Sequence, residues 1–217
     1  MAKKIFLALF FTSVMAFSSI TVIAKDSIHE NIEQLDVEMP KQERIELARG
    51  KLDTKEVRET EEYRDGLAAY IQSVNDNVTN AEAVEIVDSI MNSADKYNVD
   101  EKLVMAIAHT ESTYYRNAVS HADYKGLMQT GDVLAEEAGY TPQQLFDPKV
   151  SIDVGTNYID EQLDEFGDTR LALTAYNQGP GTVYSGEYST DYADLAMARM
   201  AAVEEFLKEK GYINVYN

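Results

Sequence analysis

Between residues 79 and 210 the apolar residues return every three or four positions, and no stretch alternates with period two for long enough to claim a strand, so the segment is built to pack helix on helix. Ala83, Val84, Val87, Ile90, Met91 and Ala94 form the first stripe, opened by Thr79 or Asn80 and running to Tyr97. Asn98-Val99-Asp100 turns the chain, and Asp100 caps a second helix whose buried face carries Leu103, Val104, Ile107 and Ala108. A turn this short predicts an antiparallel pair. The pattern resumes over 133–138, stops at Gly139-Tyr140-Thr141-Pro142 and passes through Leu145-Phe146-Asp147-Pro148. A longer helix is expected over about 151–166, with Ile152, Gly155, Tyr158, Ile159 and Leu163 inward. A short one over 171–176 ends at Asn177-Gln178-Gly179-Pro180-Gly181. The last, over about 191–210, carries Leu195, Ala198, Ala202, Phe206 and Leu207 on one side. The expected fold class is mainly α.

Charge removes whole classes of function. The 217 residues hold 38 acidic against 19 basic side chains, a formal net charge of -19, which leaves nucleic acid no electrostatic footprint. The same acidity argues against docking on anionic lipid or anionic wall polymers, so a wall substrate would have to be recognised by a cleft. With 45% hydrophobic residues the chain can build one domain of ordinary size, and a monomer is expected. It contains no cysteine and relies on no disulfide.

Residues 1–24 read as a signal peptide: Lys3 and Lys4 form a basic start, 5–17 an apolar run broken only by Thr12 and Ser13, and Val22-Ile23-Ala24 a cleavage site. The expectation is an exported protein of the periplasm or the extracellular cell wall, with the acidic surface favouring the periplasm. Lys25 comes after the cleavage site, where a lipoprotein needs cysteine; an uncleaved anchor is the alternative, weakened by five Ser and Thr residues in 5–24. Residues 25–80 form an acidic N-terminal extension, expected to be partly disordered over 25–50. Within it Thr54 opens a helix with Val57, Thr60, Arg64, Leu67, Tyr70, Ile71 and Val74 on one stripe, either docked on the following domain or serving as an arm for an envelope-complex partner. Residues 81–217 are the expected catalytic domain.

Glu111 stands out in that domain. It lies at the C-terminal end of the helix begun at Asp100, where an acid opposes the macrodipole and gains nothing for helix stability. The negative helix end and partial burial both favour the neutral carboxyl, which suits a proton donor to a leaving group near neutral pH. Around it stand Glu111-Ser112-Thr113-Tyr114-Tyr115, Ala118-Val119-Ser120, Gly126-Leu127-Met128-Gln129, Leu145-Phe146-Asp147-Pro148 and Ala175-Tyr176-Asn177-Gln178-Gly179-Pro180-Gly181. In this order and spacing, over about 81–183, they closely resemble the soluble lytic transglycosylase family, which has a lysozyme-like helical domain.

The resemblance implies that Glu111 is the lone catalytic acid and base. It would protonate the oxygen of the β-1,4 bond between N-acetylmuramic acid and N-acetylglucosamine in peptidoglycan, then take a proton from the muramic 6-hydroxyl as the ring closes to a 1,6-anhydro end without water. It further implies substrate-binding roles for Ser120 near the acetamido group, Gln129 beside the acid, Tyr176 and Asn177 along the cleft, and Met128 as an apolar wall. No cofactor and no metal are implied. Gly126, Gly179 and Gly181 are expected to serve turns, and Tyr114, Tyr115, Tyr124, Tyr184, Tyr188 and Tyr192 to line a sugar groove.

Two departures from the family pattern bear on the chemistry. Tyr124-Lys125 stands where a Gly-Ala pair is common, and Gly131-Asp132-Val133-Leu134 replaces a stretch that usually carries proline and threonine. Asp123 or Asp132 could hold a water and give a hydrolase like the goose-type lysozymes if it lay about 6.5 to 9.5 Å from Glu111, though solvated loop acids are the simpler reading. The other alternative is a wall-binding or assembly module of a secretion, conjugation or phage apparatus. His109 and His121 do not make a zinc pair: no His-x-x-x-His spacing exists, and His109 is on a different helical face from Glu111.

Overall fold

The computed structural model describes residues 61–213. In chain order they form α1 (Glu61–Val74), α2 (Asn80–Tyr97), α3 (Glu101–Ser112), α4 (Asp132–Glu137), a 3-10 turn (Pro142–Phe146), α5 (Pro148–Phe166), α6 (Thr169–Gln178), α7 (Pro180–Ser185) and α8 (Asp191–Glu209). Among the described residues there is no strand, only two isolated antiparallel bridges, Val119 with Lys125 and Lys125 with Thr130. The mainly α expectation therefore holds. The signal segment, the stretch 25–60 and the start of the helix expected from Thr54 lie outside the described residues. Within them, no helix is long and apolar enough to cross a membrane.

Local chemistry sets the helix ends. At α2, Thr79 accepts from the Glu82 N–H and Glu82 accepts from the Thr79 N–H, a reciprocal cap, and Asn98 closes the helix in the left-handed region. Asp100 caps α3 through the Lys102 N–H at 2.8 Å. Asp147 does the same for α5 through the Lys149 N–H, with Pro148 in the first turn, so α5 begins three residues ahead of the expected 151. Pro180 likewise opens α7, where the sequence suggested only a stop.

The core is built around α3. Every residue from Leu103 to Ala108 is buried, so the helix is covered all round and not along one face. It lies chiefly against α8, while α2 lies chiefly against α5; α2 and α3 touch each other, but neither is the other's main partner. Two stripes also shift. On α2, Ile86 is buried and Val84 is 37% exposed. On α8 the inward residues are Ala193, Ala196, Val203 and Leu207, whereas Leu195 is 46% exposed and Ala198 and Ala202 face solvent.

α1 belongs to this core. Tyr63, Leu67, Tyr70 and Ile71 are buried in the same apolar cluster as α3 and α8. Tyr63 donates to the buried Glu101 carboxylate at 2.6 Å, and the Tyr70 hydroxyl lies 3.2 Å from His109 Nδ1. The stripe is thus a docked one, and a partner-binding role in the extension would fall to residues ahead of 61. The folded unit starts before the expected boundary at 81.

Candidate active site

Glu111 occupies the last turn of α3, and the chain leaves that turn in an uncommon conformation. Thr113 and Tyr114 both have positive φ, 52° and 59°, which a β-branched or bulky residue adopts only when its surroundings enforce it. Here they do. The Tyr114 ring is fully buried and its hydroxyl donates to the Met105 carbonyl at 3.0 Å, while Asn75, beyond α1, donates to the Thr113 carbonyl at 2.9 Å. The end of α3 is therefore fixed from two sides. Tyr114 is core and drops out of the expected sugar groove.

The Gly126-Leu127-Met128-Gln129 loop is held against that helix end. Ser112 donates to the Leu127 carbonyl at 2.9 Å. Met128 has both backbone groups tied: its N–H donates to Ser151 Oγ at 3.1 Å and its carbonyl accepts from the Tyr176 hydroxyl at 2.8 Å. Gly126 has φ +76°, and a Cβ there would lie 1.9 Å from the Leu145 carbonyl oxygen, so no other residue fits. Gly155 of α5 provides the seat for Met128, whose Cβ would be 2.5 Å from any side chain placed there. Met128 is consequently 0% exposed, a packing residue and not the sugar-contacting wall expected from the sequence.

The carboxyl of Glu111 is half-buried and receives one hydrogen bond, from the Tyr192 hydroxyl in the first turn of α8, at 2.6 Å. Burial pushes the Glu111 carboxyl above its ordinary value, and the Tyr192 bond, which favours the carboxylate, opposes that in part. Tyr176 and Tyr192 both titrate far above the usual phenol range, through burial first and the Glu111 charge second. The two phenols thus flank the acid as neutral groups. Arg170 of α6 grips Asp194 with two hydrogen bonds of 2.7 and 2.6 Å, which registers the start of α8, and with it Tyr192, against the helix that carries Tyr176.

The other expected residues fall around this centre in different ways. Ser120 is half-buried, and its Oγ accepts from the N–H groups of Ala122 and Tyr124 at 3.3 and 3.1 Å, holding a loop turn. Gln129, with φ +46°, donates to the carbonyls of Ala118 and Gly126 at 3.1 and 3.0 Å and closes the same loop from its other end. Asn177 is exposed at the end of α6. Tyr115, Tyr124, Tyr184 and Tyr188 are exposed. Asp123 and Asp132 are both paired with Lys125, at 3.0 and 2.7 Å. His109 stacks on Tyr114 within the core, and burial, then the charge of Arg199, depress its pKa to about 4, so it stays neutral; His121 lies on the surface.

The segment that brings together this partly desolvated acid, the two phenols and the Gly-Leu-Met-Gln loop is similar to a stretch of known proteins. The family model of the transglycosylase SLT domain matches residues 88–194. By that match, this segment is a transglycosylase SLT domain. The matched segment runs from within α2 to the first turn of α8, and so includes Glu111, the 126–129 loop, Tyr176 and Tyr192. A membrane-bound lytic murein transglycosylase C from Cronobacter sakazakii is 37% identical over 118 residues, which is 46% of this chain and 33% of that protein. The Klebsiella pneumoniae protein of the same name is 40% identical over 105 residues, or 41% and 29% of the two chains. The chain spans about a third of the length of the curated relatives it matches. Among solved structures, the 70 kDa soluble lytic transglycosylase of Escherichia coli aligns with a TM-score of 0.46 and 23% identity, over 67% of this chain and 29% of that one. An inactive mutant of lytic transglycosylase Slt from Pseudomonas aeruginosa aligns with a TM-score of 0.45 and 21% identity, over 58% and 24%.

Tyr192 is the site residue of this SLT domain that sequence reasoning placed only among the groove tyrosines. It stands 81 positions from Glu111, and nothing local pairs the two. The usable signal was its position in the first turn after Thr190, the end of α8 that meets Glu111.

Proposed function

We propose that this protein is an exported enzyme that cuts the glycan strands of peptidoglycan by lytic transglycosylation, with Glu111 as the only acid and base. The observation that carries the reading is the state of that carboxyl: half-buried, with its pKa raised by desolvation, and with one hydrogen-bond donor, Tyr192. A neutral Glu111 donates its proton to the glycosidic oxygen as the bond to the muramic C1 breaks. The resulting carboxylate, steadied by the Tyr192 hydroxyl, takes the proton of the muramic 6-hydroxyl as that oxygen closes on C1. One carboxyl serves both steps because the nucleophile belongs to the substrate, and the protein regains its starting protonation state.

A hydrolytic course needs a second carboxylate to hold a water. Asp123 and Asp132 are both engaged with Lys125, which favours the anhydro route. The relatives' names speak of membrane-bound murein transglycosylases, and with the signal-like start of the chain they support action in the cell envelope. Mass spectrometry of products released from purified peptidoglycan tests the reading. Products ending in 1,6-anhydromuramic acid are expected from the native protein and not from Glu111→Gln. Reducing ends, one water heavier, would replace this reading by a hydrolase, and the absence of any product would leave a binding module.

A further inference from the structure

The loop from Ser120 to Gln129 holds the chain's departure from the family pattern, Tyr124-Lys125, and both side chains are placed by specific contacts. Lys125 turns inward and is 12% exposed. Its Nζ donates to the Asp123 carbonyl at 2.9 Å and pairs with Asp123 and Asp132, tying the loop to the first turn of α4. Its backbone forms both bridges of the loop, to Val119 and Thr130. The loop is therefore stapled from beneath by its own lysine.

Tyr124 turns the other way. Its ring is 47% exposed and lies along the Gly131 backbone, where a Cβ would come within 3.1 Å of Cε1. It is close enough to Tyr158 of α5 for its charge to raise that phenol's pKa, after burial and Glu161. Tyr158 packs on Tyr176 with ring centroids 5.3 Å apart, and Tyr176 senses the charge of Glu111. Three phenols thus neighbour one another beside the acid, half-buried at Tyr176 and exposed at Tyr124. An aromatic ring held on a fixed backbone and open to solvent offers flat contact area at little entropic cost. A pyranose in a β-1,4 strand presents axial C–H groups that fit such a face.

We infer that Tyr124 is a sugar-stacking platform that receives an N-acetylhexosamine ring of the glycan strand beside the ring being cut, with Lys125 holding the platform rigid. The inference rests on the lytic transglycosylase reading of the Glu111 site. It assigns Tyr124 to substrate affinity and not to proton transfer.

The chain has no tryptophan, which gives a clean test. In the full chain carrying Glu111→Gln, Tyr124→Trp introduces a single fluorophore, and titration with soluble, uncrosslinked glycan strands is expected to change its emission saturably. In the otherwise native chain, Tyr124→Ala is expected to raise KM for those strands about tenfold, equivalent to ~1.4 kcal/mol, with kcat within about twofold of native. Tyr124→Phe, which keeps the ring, is expected to restore KM. A native KM for Tyr124→Ala, a Phe variant as weak as Ala, or an emission that ignores the strands would overturn the inference. Circular dichroism checks that each variant is folded; if the Ala variant is not, the emission titration decides alone. Failure of the transglycosylase reading would look different: the native protein would release no anhydro-ended product, whatever stood at position 124.

Discussion

Tyr192→Phe removes one oxygen from the site and leaves the ring that fills the space. The lost bond is an O–H···O contact of 2.6 Å to a half-buried carboxyl. A hydrogen bond to a charged group contributes about 1.5 to 3 kcal/mol and a neutral one about 0.5 to 1.5, so the penalty depends on whether Glu111 is ionised. Burial raises the Glu111 pKa above its usual value, so Glu111 as a whole favours the fold most at low pH, and that contribution is lost as pH rises through the raised value. The Tyr192 bond acts in the opposite sense: it favours the carboxylate, and its contribution grows across the same interval. Urea unfolding of native and Tyr192→Phe protein should differ by about 2 kcal/mol near pH ~7.5 and by about 1 kcal/mol near pH ~4. In parallel, the alkaline fall of kcat/KM should move to higher pH, because without Tyr192 the acid stays protonated longer. Equal losses at the two pH values, together with an unmoved alkaline limb, would refute the claim that Tyr192 tunes the Glu111 charge.

Glu111→Gln is expected to raise the unfolding midpoint at neutral pH while abolishing product, because it removes the cost of a desolvated carboxylate; the gain should vanish as pH falls below about 4.5, where the folded and unfolded carboxyls are both neutral. Gly155→Ala gains about 1 kcal/mol of helix propensity but forces a methyl to 2.5 Å from Met128 Cβ, which cannot retreat because both backbone groups of Met128 are bonded. Overpacking of about 1 to 3 kcal/mol should win, so a net loss near 1 kcal/mol in urea unfolding is expected, and a gain would contradict the tight seat of Met128 on α5. Tyr176→Phe leaves the Met128 carbonyl without its donor and should lower stability by about 1 to 2 kcal/mol in the same assay.

How much of this was legible depends on distance along the chain. Caps announce themselves within three residues, so the starts of α2 and α3 were readable from Thr79 with Glu82 and from Asp100. The central placement of α3 was written in Leu103-Val104-Met105-Ala106-Ile107-Ala108, a run with no polar break, although a single face was read from it. On α8 the alanines allow several phases of the stripe, and the observed one places Tyr192 on Glu111 and Val203 in the core, a choice made 80 and more residues away. Met128 shows the same limit. Its motif was plain, but whether its side chain pointed to sugar or to core was decided by the missing side chain of Gly155.

α1 carries a consequence for how this segment travels between proteins. The family match opens at residue 88, inside α2, whereas the apolar cluster already includes Tyr63, Leu67, Tyr70 and Ile71. The unit that heredity keeps recognisable and the unit that hides its oil from water thus begin at different places. A fragment spliced at the recognisable edge would keep Glu111 and Tyr192 and leave bare the faces of α2 and α8 that α1 covers, a surface inviting aggregation. Any new host that borrows the matched segment must bring a helix of its own to lie where α1 does.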